Sequence, residues 1–190
     1  LKEHPLLVEL VEKSLIGKQK LALSSKNLSR KLGYDDEIFK TNQQKEMSED
    51  ISHDFLKGQD EITAPMRSVL IDWLIDVHLK LRFVPQTLFL TVHYIDRFLE
   101  KNKIPKNQFQ CVGITALFIA SKYEEIIYPS IDDIIYMTDY TYTKDDILRT
   151  EKQMLFSCDF KLTISTPYCF LPHLFKICLL YTSPSPRDDE

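Results

Sequence analysis

The amino-acid sequence predicts an all-α bundle. Three observations carry that prediction. Apolar residues recur at helical spacing, prolines and capping residues punctuate the pattern from position 64 onward, and strand-type alternation is nowhere sustained. The 190 residues, 44% hydrophobic and 11% aromatic, are enough for one complete domain with flanking pieces.

Residues 1–44 mix Lys, Ser, Asn and Leu with weak periodicity and are expected to be mostly disordered or loosely attached. Residues 45–60 form the next unit. A helix is expected from Glu46 to Lys57, with Met47, Ile51, Phe55 and Leu56 on one side and Gly58 as a stop. Ala64-Pro65 opens a longer helix, with Pro in the first turn where it is tolerated. That helix is apolar nearly all round. Val69, the single Trp at 73, Val77 and Leu81 share one row, Leu70 and Leu74 a second, and Ile71, Ile75 and Leu79 a third. Asp72, Asp76 and Lys80 form one narrow polar stripe. Such a helix is expected at the centre of the bundle, with neighbours on most sides.

Val84-Pro85-Gln86 ends it and opens a second helix, where Leu88, Val92, Ile95 and Leu99 share a face. Ile104-Pro105 opens a third, to about Lys122. Its Gly113 costs about 1 kcal/mol against Ala, which points to the close approach of a neighbouring backbone, that of the 64–83 helix. Ser130 with Asp133, and Thr143 with Asp146, are capping-box starts for a short fourth helix and a fifth ending near Cys158. Thr166-Pro167 starts a sixth. From Tyr181 the helical pattern is abandoned, with two prolines within three residues. The native sequence is therefore expected to stop near Cys178–Leu180, with 181–190 a non-native tail. With no initiating Met, the chain reads as an internal fragment.

Function classes narrow next. The net charge of -4 and the lack of a basic run give no electrostatic footprint for nucleic acid. No apolar stretch approaches the ~20 residues needed to cross a bilayer. There is no glycine-rich phosphate loop, no HExxH and no zinc spacing, so no metal or other cofactor is expected. His78 and His93 sit in helices without ligand partners one turn away. Cys111, Cys158, Cys169 and Cys178 lack CxxC spacing and read as reduced thiols. Asp72 and Asp76, one turn apart, suit an acid–base or metal couple, but a solvated or ion-paired stripe is the preferred reading. Asp132-Asp133 and Asp145-Asp146 sit at helix N-termini, where the dipole favours acids. An enzyme is not expected.

Several motifs, in order, carry a resemblance. Met66 to Val77 is similar to the opening of the cyclin box. Tyr94-Ile95-Asp96-Arg97-Phe98-Leu99 resembles its second helix, and Phe109 through Ala116 with Ala120-Ser121-Lys122-Tyr123-Glu124-Glu125 its third. Tyr142-Thr143-Lys144 and Leu148-Arg149-Thr150-Glu151 resemble its fifth. The wording is closest to mitotic A/B-type cyclins, with B-type favoured. The resemblance implies a five-helix cyclin box at 64–163, preceded by an N-terminal helix and followed, at 165–180, by the first helix of a second, truncated box.

The resemblance also implies a function. Cyclins bind a cyclin-dependent Ser/Thr kinase and push its C-helix inward, which implies a regulatory subunit for cell-cycle progression (G2/M) in nucleus and cytoplasm. By resemblance, Lys122 and Glu151 are the polar anchors for the kinase. Tyr123, Leu155, Phe160 and Leu162 supply the apolar part, with Ile51 and Phe55 against the kinase's rear. A second implied site is a groove for Arg-x-Leu-type peptides of substrates and inhibitors, formed by Met66, Val69, Leu70, Trp73, Phe109 and Gln110, with Asp76 receiving the basic residue. Arg67 and Asp96 are expected to be an internal ion pair. Cys111 stands where the family usually has Leu, which affects only local packing. The competing readings are a cyclin-fold transcription factor or scaffold, which salt-dependent DNA binding would reveal, and a helical adaptor without a kinase.

Overall fold

The computed structural model describes residues 34–48, 51–52 and 54–182. Among these, seven α-helices are found: α1 (Tyr34–Ser48), α2 (Ala64–Leu81), α3 (Pro85–Lys101), α4 (Phe109–Glu124), α5 (Ile131–Met137), α6 (Lys144–Ser157) and α7 (Pro167–Thr182). A 3₁₀ turn, Lys106–Gln108, leads into α4. Part of the region expected to be disordered lies outside the described residues, as do residues 183–190 of the expected tail.

The centre of the bundle is α4, not α2. From Phe109 to Ser121 every α4 residue is buried except the half-buried Gln110. α4 packs against α2, α3 and α6. Small residues explain the difference, since Gly113, Ala116 and Ala120 let neighbours close in on several sides. The apolar surplus of α2 instead leaves Val69 69% exposed and Trp73 half-buried. Gly113 admits a side chain rather than a backbone: a β-carbon there would lie 2.8 Å from Leu70 Cδ1.

The N-terminal helix also differs from expectation. Instead of 46–57, α1 spans Tyr34–Ser48, so that it lies mostly in the region expected to be disordered and shares only 46–48 with the expected helix. It is held from a distance, with the Phe39 ring edge-on to Phe170 at 5.6 Å and stacked on His173 of α7 at 4.2 Å. Residues 51, 52 and 54–58 lie outside any helix. There Ser52 takes over the backbone. Its carbonyl accepts from Phe55 N (3.0 Å) and its hydroxyl from Asp54 N (3.3 Å). Serine and aspartate offer the chain such turns in place of helix. Gln59 then joins this segment to the end of α3, donating to the carbonyls of Leu99 and Asn102 and accepting from Ile104 N.

Both capping boxes form. Ser130 and Asp133, and Thr143 and Asp146, exchange side-chain and backbone bonds at the starts of α5 and α6. Their carboxyls are held below the ordinary aspartate range by the Ser130 and Thr143 hydroxyls. α5 and α6 also end alike. Asp139-Tyr140 and Asp159-Phe160 are pairs of residues in the left-handed region, with φ of 51° to 59°. In each pair the aromatic ring turns back, edge-on, to one four residues earlier: Tyr140 to Tyr136 at 6.1 Å and Phe160 to Phe156 at 5.3 Å. α3 lacks a side-chain cap of its own. Glu125, just after α4, supplies one by accepting from Val84 N (2.8 Å) and Thr87 Oγ1 (2.5 Å). Burial pushes the Cys111 and Cys158 thiols up.

Candidate protein-interaction sites

The first site joins the end of α4 to the middle of α6. Lys122 and Glu151 form an ion pair between helices, with side chains 33% and 12% exposed. The Lys122 ammonium also stands 4.1 Å from the centroid of the Phe118 ring, held there by cation–π attraction. Of its three N–H groups, Glu151 takes one. Tyr123 is 44% exposed, and its hydroxyl is bonded to Thr163 Oγ1 at 2.7 Å. Leu155 and Leu162 are half-buried against the core. Phe160, edge-on to the Phe156 ring, is 59% exposed. Two large apolar groups of this region stay exposed: Tyr123, next to Lys122 in the chain, and Phe160, just past the helix that carries Glu151.

Two residues expected on this surface, Ile51 and Phe55, do not lie on a helix. Ile51 is half-buried outside any helix. Phe55 packs on the core, with the Arg67 guanidinium over its ring at 5.6 Å. On the helix that does form, Ile38 (57% exposed) and Met47 (80%) are the outward apolar residues. The sequence places Met47 on the apolar side of the expected 46–57 helix; sequence reasoning passed over Ile38 and also Ile126 and Ile127, 99% and 87% exposed in the turn after α4. An apolar pair just past a helix end, next to Tyr128-Pro129, is the signal that could have found the latter.

The second site is an open groove of about 550 Å³ between α2 and the start of α4. Met66, Val69, Leu70, Trp73, Phe109 and Gln110 line it, joined by Pro65 and Lys106, which sequence reasoning missed. Asp76 is exposed and is not part of the wall; it lies almost one helical turn beyond Trp73. The charged group in the lining is Lys106. Behind the groove, Arg67 makes two parallel bonds to Asp96, both 2.6 Å, tying α2 to α3. Burial pushes the Asp96 carboxyl up, and the Arg67 guanidinium pulls it back.

Among the described residues no group of three His, Cys, Asp or Glu is placed to hold a metal ion. Asp72 and Asp76 are exposed. No helix among the described residues is long and apolar enough to cross a membrane.

Comparison with known proteins agrees with this architecture. Residues 37–163 match the family described as "Cyclin, N-terminal domain". The chain is 41% identical over 143 residues to Cyclin-B2-1 of Oryza sativa subsp. japonica, covering 75% of this chain and 34% of that protein. It is 47% identical over 122 residues to Cyclin-B1-3 of Arabidopsis thaliana (64% of this chain, 30% of that one). It is 43% identical over 122 residues to G2/mitotic-specific cyclin-4 of Saccharomyces cerevisiae (64% and 26%). The chain thus spans about a third or less of the length of these relatives. The X-ray structure of a viral cyclin from Herpesvirus saimiri superposes with a TM-score of 0.67 at 18% identity, covering 78% of this chain and 64% of that one, a likeness of fold. The chain belongs to the cyclin family, among the B-type cyclins.

Proposed function

We propose that this chain is the kinase-binding portion of a regulatory subunit that activates a cyclin-dependent Ser/Thr kinase at G2/M, in nucleus and cytoplasm. The observation that carries the proposal is the Lys122–Glu151 pair between α4 and α6, with exposed Tyr123 following Lys122 and exposed Phe160 just past the end of α6. A salt bridge alone at a surface contributes little. Covered by a partner's apolar surface, it becomes a polar anchor within an interface, where a few desolvated residues carry most of the affinity. Lys122 donates to partner carbonyls and Glu151 accepts from partner N–H groups, while Leu155, Phe160 and Leu162 exclude water. Binding there pushes the kinase's C-helix inward, which completes the kinase's own Lys–Glu ion pair and frees its activation segment.

The groove beside Trp73 serves a second task in this reading. It holds the leucine of short docking peptides and so raises the concentration of substrate at the kinase. The test is capture of a cyclin-dependent kinase and phosphorylation of histone by the captured complex, comparing the unaltered chain with Lys122→Ala and Glu151→Ala. Undiminished binding by both variants overturns the assignment.

A further inference from the structure

A second cavity, of about 410 Å³, lies between the end of α3, the start of α4 and α6. The buried Phe98 and Val112 back it. Exposed Lys103, Gln108, Lys152 and Gln153 line its solvent side, and no carboxylate is among the lining residues. In a chain of net charge -4, a concave site walled by lysines and carboxamides is a local reversal of sign.

This cavity adjoins the groove. Gln108 lines the cavity, whereas Lys106, Phe109 and Gln110 line the groove, so the turn into α4 is their common wall. Each residue of an extended peptide advances about 3.3–3.6 Å, so a ligand anchored in the groove reaches past Gln108 within a few residues. The charge balance selects what it would place there. Asp60 pairs with Lys103 at 3.1 Å, and Lys152 adds a second cation, which leaves a surplus of one positive charge. One carboxylate matches that surplus, and the carboxamides can donate to its oxygens.

We infer that the second cavity receives an aspartate or glutamate side chain of the same peptide whose apolar anchor occupies the groove. This inference rests on the reading of the groove as a peptide site. The complex would then select docking peptides by an acidic residue flanking the leucine, on the side that crosses Gln108.

The test is fluorescence anisotropy with labelled Arg-x-Leu peptides. Glu is scanned through successive flanking positions, with matched Gln and phosphoserine series. At one position Glu is expected to bind about threefold more tightly than Gln at low salt, the scale of an exposed ion pair, with the advantage lost at high salt. Lys152→Glu is expected to erase the preference, and Lys152→Gln, a milder change checked by its thermal melt, to weaken it. Equal binding of Glu and Gln at every position overturns the inference and leaves the groove reading intact. Phosphoserine more than tenfold tighter than Glu overturns the assignment of a carboxylate. No binding by any peptide overturns the groove reading and the inference together.

Discussion

Gly113 and Leu70 are fitted to each other: a β-carbon at position 113 would lie 2.8 Å from Leu70 Cδ1 and 3.1 Å from its Cγ. Leu70 is at once a core residue, 6% exposed, and part of the groove wall. Gly113→Ala must push that side chain toward the groove. The helix gains about 1 kcal/mol from the alanine, which offsets much of the strain. The predicted outcome is a small change in stability and a clear loss of groove-peptide affinity, read by urea titration and anisotropy on the same variant.

The Arg67–Asp96 pair should matter more for stability than the surface pairs. Its side chains are 25% and 13% exposed, and its geometry is bidentate. Arg67→Ala leaves a largely buried carboxylate without its partner and is predicted to cost about 2 kcal/mol. Lysine lacks the planar fork, so Arg67→Lys should restore only part of that. Burial already raises the Asp96 pKa, and removal of Arg67 raises it further. A raised carboxyl binds its proton more readily in the folded state, so its penalty grows as pH rises through the window. The Arg67→Ala deficit should therefore be smaller at acid pH than at neutral pH, as denaturation midpoints would show.

Two histidines give the fold a second, opposite pH dependence. Burial, with Arg97 one turn away, pulls His93 down to about 4. His78 is fully buried; its Nε2–H donates to the Val84 carbonyl at 3.0 Å, its Nδ1 has no partner, and burial lowers it too. Unfolded histidine titrates near 6.5. Between that value and about 4 the unfolded chain binds protons that native His93 refuses. Stability is predicted to be complete above the unfolded value and to fall as pH drops through this window. His93→Gln should flatten part of the slope, and equal slopes in variant and parent would contradict the assignment.

How legible the molecule was depended on distance along the chain. The capping boxes at Ser130 and Thr143 were readable because each closes within three residues. The helix starts at Pro65 and Pro85 were readable for the same local reason. α1 was not, because its sequence is polar nearly throughout and its anchor, Phe39, finds Phe170 and His173 more than a hundred residues away. The 46–57 pattern misled because Ser52 and Asp54 form a local turn that overrides apolar spacing. Periodicity marked both α2 and α4 as apolar, but it carries no information on which is surrounded. Three small residues in α4 decided that, and the spare apolar face of α2 became a groove wall. Resemblance named most groove residues, but not Lys106 or Pro65, which enter through the local shape of the chain. The left-handed backbone at Asp159 and Phe160 is not announced by residue type.

The Lys122–Glu151 pair is the centre of the proposed function, and the most direct measurement is the affinity of a cyclin-dependent kinase for this chain and its variants. Calorimetric or surface-based titration of the kinase against the parent, Lys122→Ala and Glu151→Ala should show at least a tenfold loss in each variant, the scale of an interface hot spot. Thermal melts should confirm that both variants fold. Parent-like affinity in both folded variants would contradict the account.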